Sequence, residues 1–423
     1  MLTNTNSGTV KYGVAYQTTS GVTVKVYDTS EDPATGTIEE NDKKYIKLHL
    51  ENKNSTNKTI ELSTVLGYEN GGDLVVPSGV TLVTDTYTPP PTAAEYITKL
   101  YTTASKTTVT NNSITYNTAP SVSLMNDRLG GTTTDLDGGN IRYYGASPNN
   151  YIYFNCSDYS NQTSSTCETW RIIGVFDGKL KLIRGSQIGK YSWDNKNTST
   201  GAEDNYGKND WTTARLMKLL NPRDYYKVDS NDNNLGQSLY YNSASGKCYS
   251  GQNNATVDCD FTSTGIKNDE TRNMIAETTY YLGGWNSYSV YPNEIYEYER
   301  GTTVYTGRPP TWPGKIALAY PSDYGYAADL NQCKDKTLYY YDNSTCTSNN
   351  WMKAILGTSS HGWLLTPYSG HSYYAWHVRS GGNVYSYLAY GAYGAVPVLS
   401  LSSELGIESG GDGSSSNPYK LSA

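Results

Sequence analysis

Residues 1–88 alternate hydrophobic and polar positions in short runs separated by Gly, Asn, Asp and Ser. The runs are TVKYGVAYQT, GVTVKVYDT, KKYIKLHLEN, KTIELSTVLGY and SGVTLVTDTY. A period of two residues, with turn residues at regular spacing, is typical of a small antiparallel β-sandwich. The prediction for residues 1–88 is therefore an N-terminal all-β sandwich of Ig-like type.

The pattern changes after residue 88. The prolines of TPPPT favour extended backbone, and AAEYITKLYTTA follows them with the spacing of one amphipathic helix. Residues 89–122 are thus predicted to be a linker with a short helix. From residue 123 onward, helical patterns and short strand patterns are mixed, which predicts an α+β domain over residues 123–423.

Three segments carry the prediction for this second domain. NDWTTARLMKLLNP and NDETRNMIAETTYYLGG have the periodicity of helices, with Asp210 a candidate N-cap of the first. WRIIGVFDGKLKLIRG predicts a β-hairpin with Asp177 and Gly178 at the turn. The C-terminal part predicts short strands separated by loops.

Charge and hydropathy exclude some partners. The chain of 423 residues is polar and has a net charge of −7, which argues against binding to nucleic acid phosphates. No apolar run approaches the roughly 20 residues of a membrane-spanning helix, so membrane attachment is expected only through a segment absent from this chain. MLTNTNSGTV lacks the basic start and apolar core of a signal peptide, which fits either a cytoplasmic protein or one trimmed to its mature part.

The six cysteines are grouped in nearby pairs along the chain. The segments between neighbours, SDYSNQTSST, YSGQNNATVD and KDKTLYYYDNST, are polar and turn-rich, as short disulfide-closed loops are. No Cys-x-x-Cys or Cys/His spacing points to zinc. We predict nearest-neighbour disulfides and hence an extracellular protein, and six unrelated thiols are the alternative. The predicted pairs are Cys156–Cys167, Cys248–Cys259 and Cys333–Cys346.

Tyrosine is concentrated near the C-terminus. Between Tyr368 and Tyr393, seven of 26 residues are tyrosine, against 42 of 423 in the whole chain. Tyrosine combines a large contact area with a polar tip and a small loss of side-chain entropy, while Ser and Gly adapt around it, which is the composition of a binding surface. The alternative is that these tyrosines belong to ordinary strands, where Tyr is favoured.

Several segments carry a family resemblance. GWLLTP, AWHVRSGGNVYS and AVPVLSL, followed by GGDGSSSNPYKL, resemble the C-type-lectin-fold variable proteins that are diversified by retroelements. LMNDRLGG, WRIIGVFDGKLKLIRG and PGKIALAYPSDYGYA are similar to surface-protein modules of gut Firmicutes. GYENGGDLVVPSGVTLV is similar to β-domains that stand between an exported N-terminus and such modules, which implies that residues 1–88 act as a stalk. The resemblance implies a C-type-lectin-like ligand-binding domain over residues 123–423, with a variable region at about 361–398.

The same resemblance implies roles for individual residues. In that family, mutagenesis of adenines rewrites Asn-type codons into codons for Tyr, His, Ser, Asp, Gly or Ala, among others. The implied ligand-binding residues are Tyr368, Ser369, His371, Tyr373, Tyr374, His377, Arg379, Tyr385, Tyr387, Tyr390 and Tyr393. Tryptophan cannot arise from such codons, so it marks fixed scaffold. The scaffold residues, expected to pack inward, are Trp363, Trp376, Val378, Val396 and Leu399.

Metal binding is the first rival interpretation. His361, His371 and His377 do not have the spacing of a zinc motif. Two acidic segments could hold calcium, but both lack the Gly and terminal Glu of an EF-hand loop. Their acidic residues are Asp135 and Asp137 in TDLDGG, and Asp229 and Asp232 in DSNDNN. The Glu-Pro-Asn and Trp-Asn-Asp triplets of calcium-dependent lectins are missing, so we predict neither a metal nor a cofactor.

Catalysis is the second rival. The formylglycine-generating oxidases share the broad fold and use a late pair of reactive cysteines, whereas this chain has no cysteine after Cys346. We therefore predict a non-enzymatic binding protein on a bacterial surface or a phage tail, with a protein or glycan ligand on another cell or host. A glycan-binding adhesin of fixed specificity, with the same fold, is the main alternative.

Overall fold

The chain forms two compact units, Met1–Pro90 and Pro91–Ala423. The computed structural model describes residues 1–5, 7–67, 74–130, 138–194, 206–227, 239–252 and 255–422. Strands predominate over helices, which is compatible with the predicted α+β class. The division falls two residues after the predicted boundary at residue 88.

The described part of Met1–Pro90 consists of strands and loops, as its alternating pattern predicts. Strand β2 pairs antiparallel with β4, β7 and β8, and β3 pairs antiparallel with β6 and parallel with β9. Val14 and Tyr16 from β2 pack with Val24 and Val26 from β3, so the two sheets share one core. The strands are β1 (Leu2–Thr3), β2 (Val10–Gln17), β3 (Val22–Tyr27), β4 (Thr35–Ile38), β5 (Lys43–Lys44), β6 (Leu48–Asn52), β7 (Leu62–Gly67), β8 (Val80–Leu82) and β9 (Thr86–Tyr87).

The second unit combines short helices with many strands. Its helices are α1 (Ala93–Thr103), α2 (Arg215–Leu220), α3 (Asp269–Met274), α4 (Pro292–Arg300), α5 (Pro321–Tyr326), α6 (Ser344–Ser348) and α7 (Lys353–Leu356). Its first strands are β10 (Thr107–Asn111), β11 (Ile114–Ala119), β12 (Leu124–Asn126), β13 (Ile141–Tyr143), β14 (Tyr151–Phe154), β15 (Glu168–Phe176), β16 (Lys179–Arg184), β17 (Gly189–Tyr191), β18 (Ala244–Tyr249) and β19 (Thr256–Asp260). The later strands are β20 (Thr278–Tyr281), β21 (Thr311–Gly314), β22 (Ile316–Ala317), β23 (Gly362–Pro367), β24 (Tyr374–Val378), β25 (Val384–Leu388), β26 (Tyr393–Ala395), β27 (Val398–Ser400), β28 (Gly406–Ile407) and β29 (Leu421–Ser422).

Two sheets organise this unit. The larger has the strand order β10-β11-β12-β13-β15-β16-β27-β22, with β14 also paired to β15. The smaller has the order β17-β26-β23-β24-β25 and contains the tyrosine-rich region. Trp170 and Leu182 of the larger sheet belong to the same buried cluster as Trp363 and Ala375 of the smaller, so the main core joins the two.

The predicted hairpin is confirmed and pairs β15 with β16. Asp177 and Gly178 both have positive φ, 48° and 69°. A two-residue turn of this kind matches the right-handed twist of the flanking strands, and Gly meets it without a steric penalty.

Residues 91–122 are not a linker, which corrects the prediction for 89–122. Thr92 and Glu95 exchange hydrogen bonds with each other's backbone N–H and so cap α1. The helix buries Ile97 and Tyr101 completely, and β10 and β11 extend the large sheet. The amphipathic pattern predicted the helix, but the helix packs against β15, β16 and β28, which are distant in sequence.

The two predicted helices are shorter than their patterns indicate. Asp210 caps a 3₁₀ turn at Trp211–Thr213 rather than α2, which begins at Arg215. After α3 ends at Met274, the TTYY segment is strand β20, paired with β21. β-branched and aromatic residues favour this strand over a continued helix.

The three predicted disulfides are confirmed: Cys156 pairs with Cys167, Cys248 with Cys259 and Cys333 with Cys346. Disulfides persist in oxidising compartments, so they indicate a location outside the cytoplasm. None of the helices in the described residues has the length and apolar character needed to cross a lipid bilayer.

A buried ion network ties α5 to the large sheet. Arg142 donates to Asp127 at 2.6 Å and to Asp323 at 3.0 Å, and Lys181 also pairs with Asp323. All four side chains are buried. Burial alone would raise the pKa of Asp323, but Lys181 and Arg142 hold it below its ordinary value.

We expect Asp323→Asn to lower the free energy of unfolding by about 3–5 kcal/mol, because it leaves two buried cations short of a carboxylate. Asp258→Asn, which breaks the exposed Lys247–Asp258 pair, should cost about 1 kcal/mol or less. All eight tryptophans lie in Pro91–Ala423, so urea unfolding followed by tryptophan fluorescence measures this unit. Equal effects of the two substitutions would contradict the network's role.

We also expect a fragment of residues 91–423, produced under oxidising conditions, to fold, and a fragment of residues 123–423 to fail. The shorter fragment lacks α1 and leaves its contact surface in the core uncovered. Circular dichroism and resistance to limited proteolysis measure the difference. An equally stable shorter fragment would restore the prediction of a linker.

Candidate ligand-binding surface

The register of the smaller sheet determines which face each side chain of its tyrosine-rich strands points to. Trp363 of β23 lies opposite His377 of β24, and His377 lies opposite Tyr385 of β25. Directly opposed residues share a face of an antiparallel sheet, and consecutive residues alternate between faces. Trp363, His377 and Tyr385 therefore point to one face, while Trp376 and Val378 point to the other.

The residues predicted to pack inward are buried. Trp363, Trp376, Val378, Val396 and Leu399 are all 0% exposed.

Two indole N–H groups also cross-link the backbone of this sheet. Nε1 of Trp363 donates to the carbonyl of Tyr191 at 2.8 Å, and Nε1 of Trp193 donates to the carbonyl of Leu364 at 3.1 Å. Both bonds connect β23 with β17 or the residues that follow it. They span β26, which lies between these two strands.

Exposed and half-buried rings form a network of contacts over this sheet and its loops, in which the buried Tyr390 bridges Tyr206 and Tyr387. The ring centroids are 4.2 Å apart for Tyr288 and Tyr385, 5.0 Å for Tyr206 and Tyr373, and 5.3 Å for Tyr387 and Tyr393. We call the set the aromatic surface. Its members are Tyr206, Tyr288, Tyr339, Tyr340, Tyr368, His371, Tyr373, Tyr374, Tyr385, Tyr387 and Tyr393.

Predicted ligand-binding residues differ in their access to solvent. His371, Arg379 and Tyr387 are exposed, Tyr387 to 38%. The guanidinium of Arg379 lies 4.6 Å from the ring centroid of Tyr385 and so borders the aromatic surface. The other accessible candidates are half-buried: Tyr368, Ser369, Tyr373, Tyr374, Tyr385 and Tyr393.

The structure corrects the prediction for His377 and Tyr390, because both were expected to be exposed and both are buried. His377 is 1% exposed, and its ring lies 4.7 Å from Tyr393 and 5.9 Å from Trp363. Tyr390 is 9% exposed, and its hydroxyl accepts a hydrogen bond from Gln252 at 2.8 Å. Neighbouring aromatic side chains cover both residues. His377 and Tyr390 therefore support the surface from below and are not part of its accessible area.

Burial determines the protonation of His377. It lowers the pKa of this imidazole well below its ordinary value, and His361 and Arg379 act in the same direction. Its Nδ1 has no hydrogen-bond partner among the described residues. The ring is therefore neutral at pH 7, since a buried positive charge here would be unpaired.

No group of three or more His, Cys, Asp or Glu in the described residues could hold a metal ion. The rings of His361 and His377 are 5.7 Å apart, and Nδ1 of His361 accepts the N–H of Ser380 at 2.8 Å. The calcium candidates Asp135, Asp137, Asp229 and Asp232 lie outside the described residues.

No protein-family model matches this chain, and no curated protein or solved structure is significantly similar to it. The family resemblance therefore rests on the quoted sequence segments.

Four tyrosines of the aromatic surface were not predicted. Tyr339 and Tyr340 belong to the LYYYD run, whose tyrosine density was a usable signal. Tyr206 and Tyr288 have no such local signal, because each reaches the surface from a segment far from residues 361–398 in sequence.

We expect acid to destabilise the protein through His377. Its folded-state pKa is depressed, so below about pH 6.5 the unfolded state binds more protons, and stability falls by up to about 1.4 kcal/mol per pH unit until the folded-state pKa is reached. His377→Gln should flatten this dependence in urea unfolding measured between about pH 7.5 and about pH 5.5. His371→Gln, at an exposed position, should retain it. An unchanged slope in His377→Gln would refute the assignment.

Proposed function

We propose that this chain is a non-enzymatic, extracellular ligand-binding protein and that the aromatic surface contacts the ligand. The observation that carries the proposal is the network of ring contacts, bridged by the buried Tyr390, on a sheet whose scaffold residues are fully buried. The expected partner is a protein or glycan on another cell or host.

Tyrosine rings suit this role physically. A half-buried ring has already lost part of its rotational freedom, so less entropy is lost when a ligand immobilises it. Its face provides apolar contact and its hydroxyl a directional hydrogen bond. Arg379 adds one cation at the border of the aromatic surface.

We further propose that the domain has a C-type-lectin-like fold and that a retroelement diversifies its surface. Tyr368, His371, Tyr373 and Tyr387 have residue types that rewritten Asn codons produce, and their side chains are accessible. The buried Trp363 has a type that such codons cannot produce. A template repeat beside a reverse-transcriptase gene in the neighbouring DNA would support diversification, and its absence would favour the adhesin of fixed specificity.

The oxidase alternative receives no support from the cysteines. All six form disulfides, and no free cysteine occurs. An oxidase of that type needs an accessible thiolate, which a disulfide-bonded sulfur does not supply. The binding role is therefore the function that we propose, at a bacterial surface or, alternatively, on a phage tail.

The test replaces Tyr373, Tyr374 and Tyr387 together with Ser in the full chain. We expect labelled protein to lose binding to the glycans, proteins or cells that wild-type protein recognises on arrays and in cell staining. The melting temperature should change by only a few degrees, because substitutions at accessible positions usually alter stability by about 0.5 kcal/mol each.

Two controls make the result interpretable. Replacing Tyr45, Tyr241 and Tyr281 with Ser alters tyrosines that are at least as exposed but lie outside the aromatic surface, so binding should be retained. Trp376→Ala should instead lower stability by about 3–5 kcal/mol. The proposal would be refuted if the Tyr373, Tyr374 and Tyr387 variant bound like wild-type protein. It would also be refuted if the control variant at the other three tyrosines lost binding to the same extent.

A further inference from the structure

Arg171 is a buried cation whose partners are neutral. It lies on β15 opposite Tyr151 of β14 and is 7% exposed. Its guanidinium is 3.7 Å from the ring centroid of Tyr151 and 4.8 Å from that of Trp351. It donates hydrogen bonds to the side-chain oxygen of Asn150 and to the carbonyl of Pro148.

No carboxylate in the described part of the chain lies within ion-pair distance of Arg171. Burial lowers the pKa of Arg171 to about 10, and only Tyr151 opposes that shift. Arg142 is also buried, but it contacts two carboxylates. An uncompensated buried cation is unfavourable, and an anion supplied from outside would relieve that cost.

A cleft gives access to this cation. Its volume is about 500 Å³, within the range of small-ligand pockets. Its lining includes Tyr151, Glu168, Arg171, Arg184, Ser186 and Ile355.

Glu168 does not neutralise Arg171. Its two carboxylate oxygens accept hydrogen bonds from Arg184, one from Nε at 3.0 Å and the other from Nη2 at 3.2 Å. Nε1 of Trp170 also donates to one of these oxygens at 2.9 Å. The charges of Glu168 and Arg184 therefore cancel. Arg171 leaves the cleft with one unbalanced positive charge.

We propose that this cleft binds the carboxylate of a small ligand, with Arg171 as the anchoring cation. A planar guanidinium matches a carboxylate through paired hydrogen bonds. A carboxylate also carries the single negative charge that balances Arg171, whereas a phosphate dianion would leave one negative charge unpaired and a neutral group would leave Arg171 uncompensated. Asn150 holds the guanidinium and is itself fixed, because its Nδ2 donates to the carbonyl of Ile172 at 2.8 Å. The site is thus organised before the ligand arrives, which lowers the entropic cost of binding. None of these residues belongs to the aromatic surface. A negative result for the cleft therefore does not count against the proposed function of the aromatic surface, and the reverse also holds.

The test is calorimetric titration of the full chain with two carboxylates, D-glucuronate and N-acetylglycine. Saturable binding of either, with a dissociation constant of about 1 mM or lower, supports the site. Preference for glucuronate identifies an acidic sugar, and preference for N-acetylglycine identifies a chain-terminal carboxylate. D-glucose, which is neutral, and inorganic phosphate, whose dianion exceeds the single charge of Arg171, should bind at least about tenfold more weakly. Absence of binding by both carboxylates, or equal binding of glucose or phosphate, overturns the proposal.

Substitutions assign the binding to Arg171. Arg171→Gln should weaken carboxylate binding at least about tenfold, and Arg223→Gln, at an exposed position outside both the cleft and the aromatic surface, should leave it unchanged. Arg171→Lys keeps the positive charge but loses the planar pair of N–H donors of the guanidinium. It provides a second measurement should the Gln variant fail to fold, and it too should bind more weakly. Wild-type affinity in a folded Arg171 variant would refute the assignment.

Discussion

The aromatic surface depends on the burial of tryptophan on both faces of the smaller sheet. Trp363 lies under Tyr393 and His377 on one face, with its ring 4.8 Å from that of Tyr393. Trp376 anchors the opposite face in the second buried cluster. The indole N–H of Trp363 also reaches across β26 to the backbone beyond it. These contacts hold the sheet in place without the outer side chains, so chemical change at the surface need not disturb the backbone.

The second unit contains buried cations of two kinds, those paired with carboxylates and one surrounded by neutral groups. Arg142 and Lys181 are compensated by Asp127 and Asp323, and this network connects α5 to the large sheet. Among the described residues, Arg171 is held by rings and neutral oxygens, beside a cleft. The compensated network contributes to the fold, because its charges satisfy one another. A cation that the protein leaves uncompensated beside a cleft is suited to an anionic ligand.

Aromatic composition alone could not decide which tyrosines and histidines reach solvent. His377 and Tyr387 both lie in a dense Tyr/His segment, yet one is 1% exposed and the other 38%. The difference arises from coverage: Tyr393 and His361 lie against the ring of His377. Tyr206 and Tyr288 come to the same surface from distant segments, and no local pattern could have placed them there.

The sequence by itself determined the features that depend on contacts between neighbours along the chain. The Asp177–Gly178 hairpin, the capped helix α1, the three short disulfide loops and the all-β character of the first unit are of this kind. The tertiary structure alone decided that α1 belongs to the second unit, that TTYY continues as a strand, and that Arg171 has no carboxylate partner among the described residues. The physical reason is that turns and caps follow from local backbone preferences. Burial and ion pairing depend on which remote segments pack together, and a linear pattern carries little information about that.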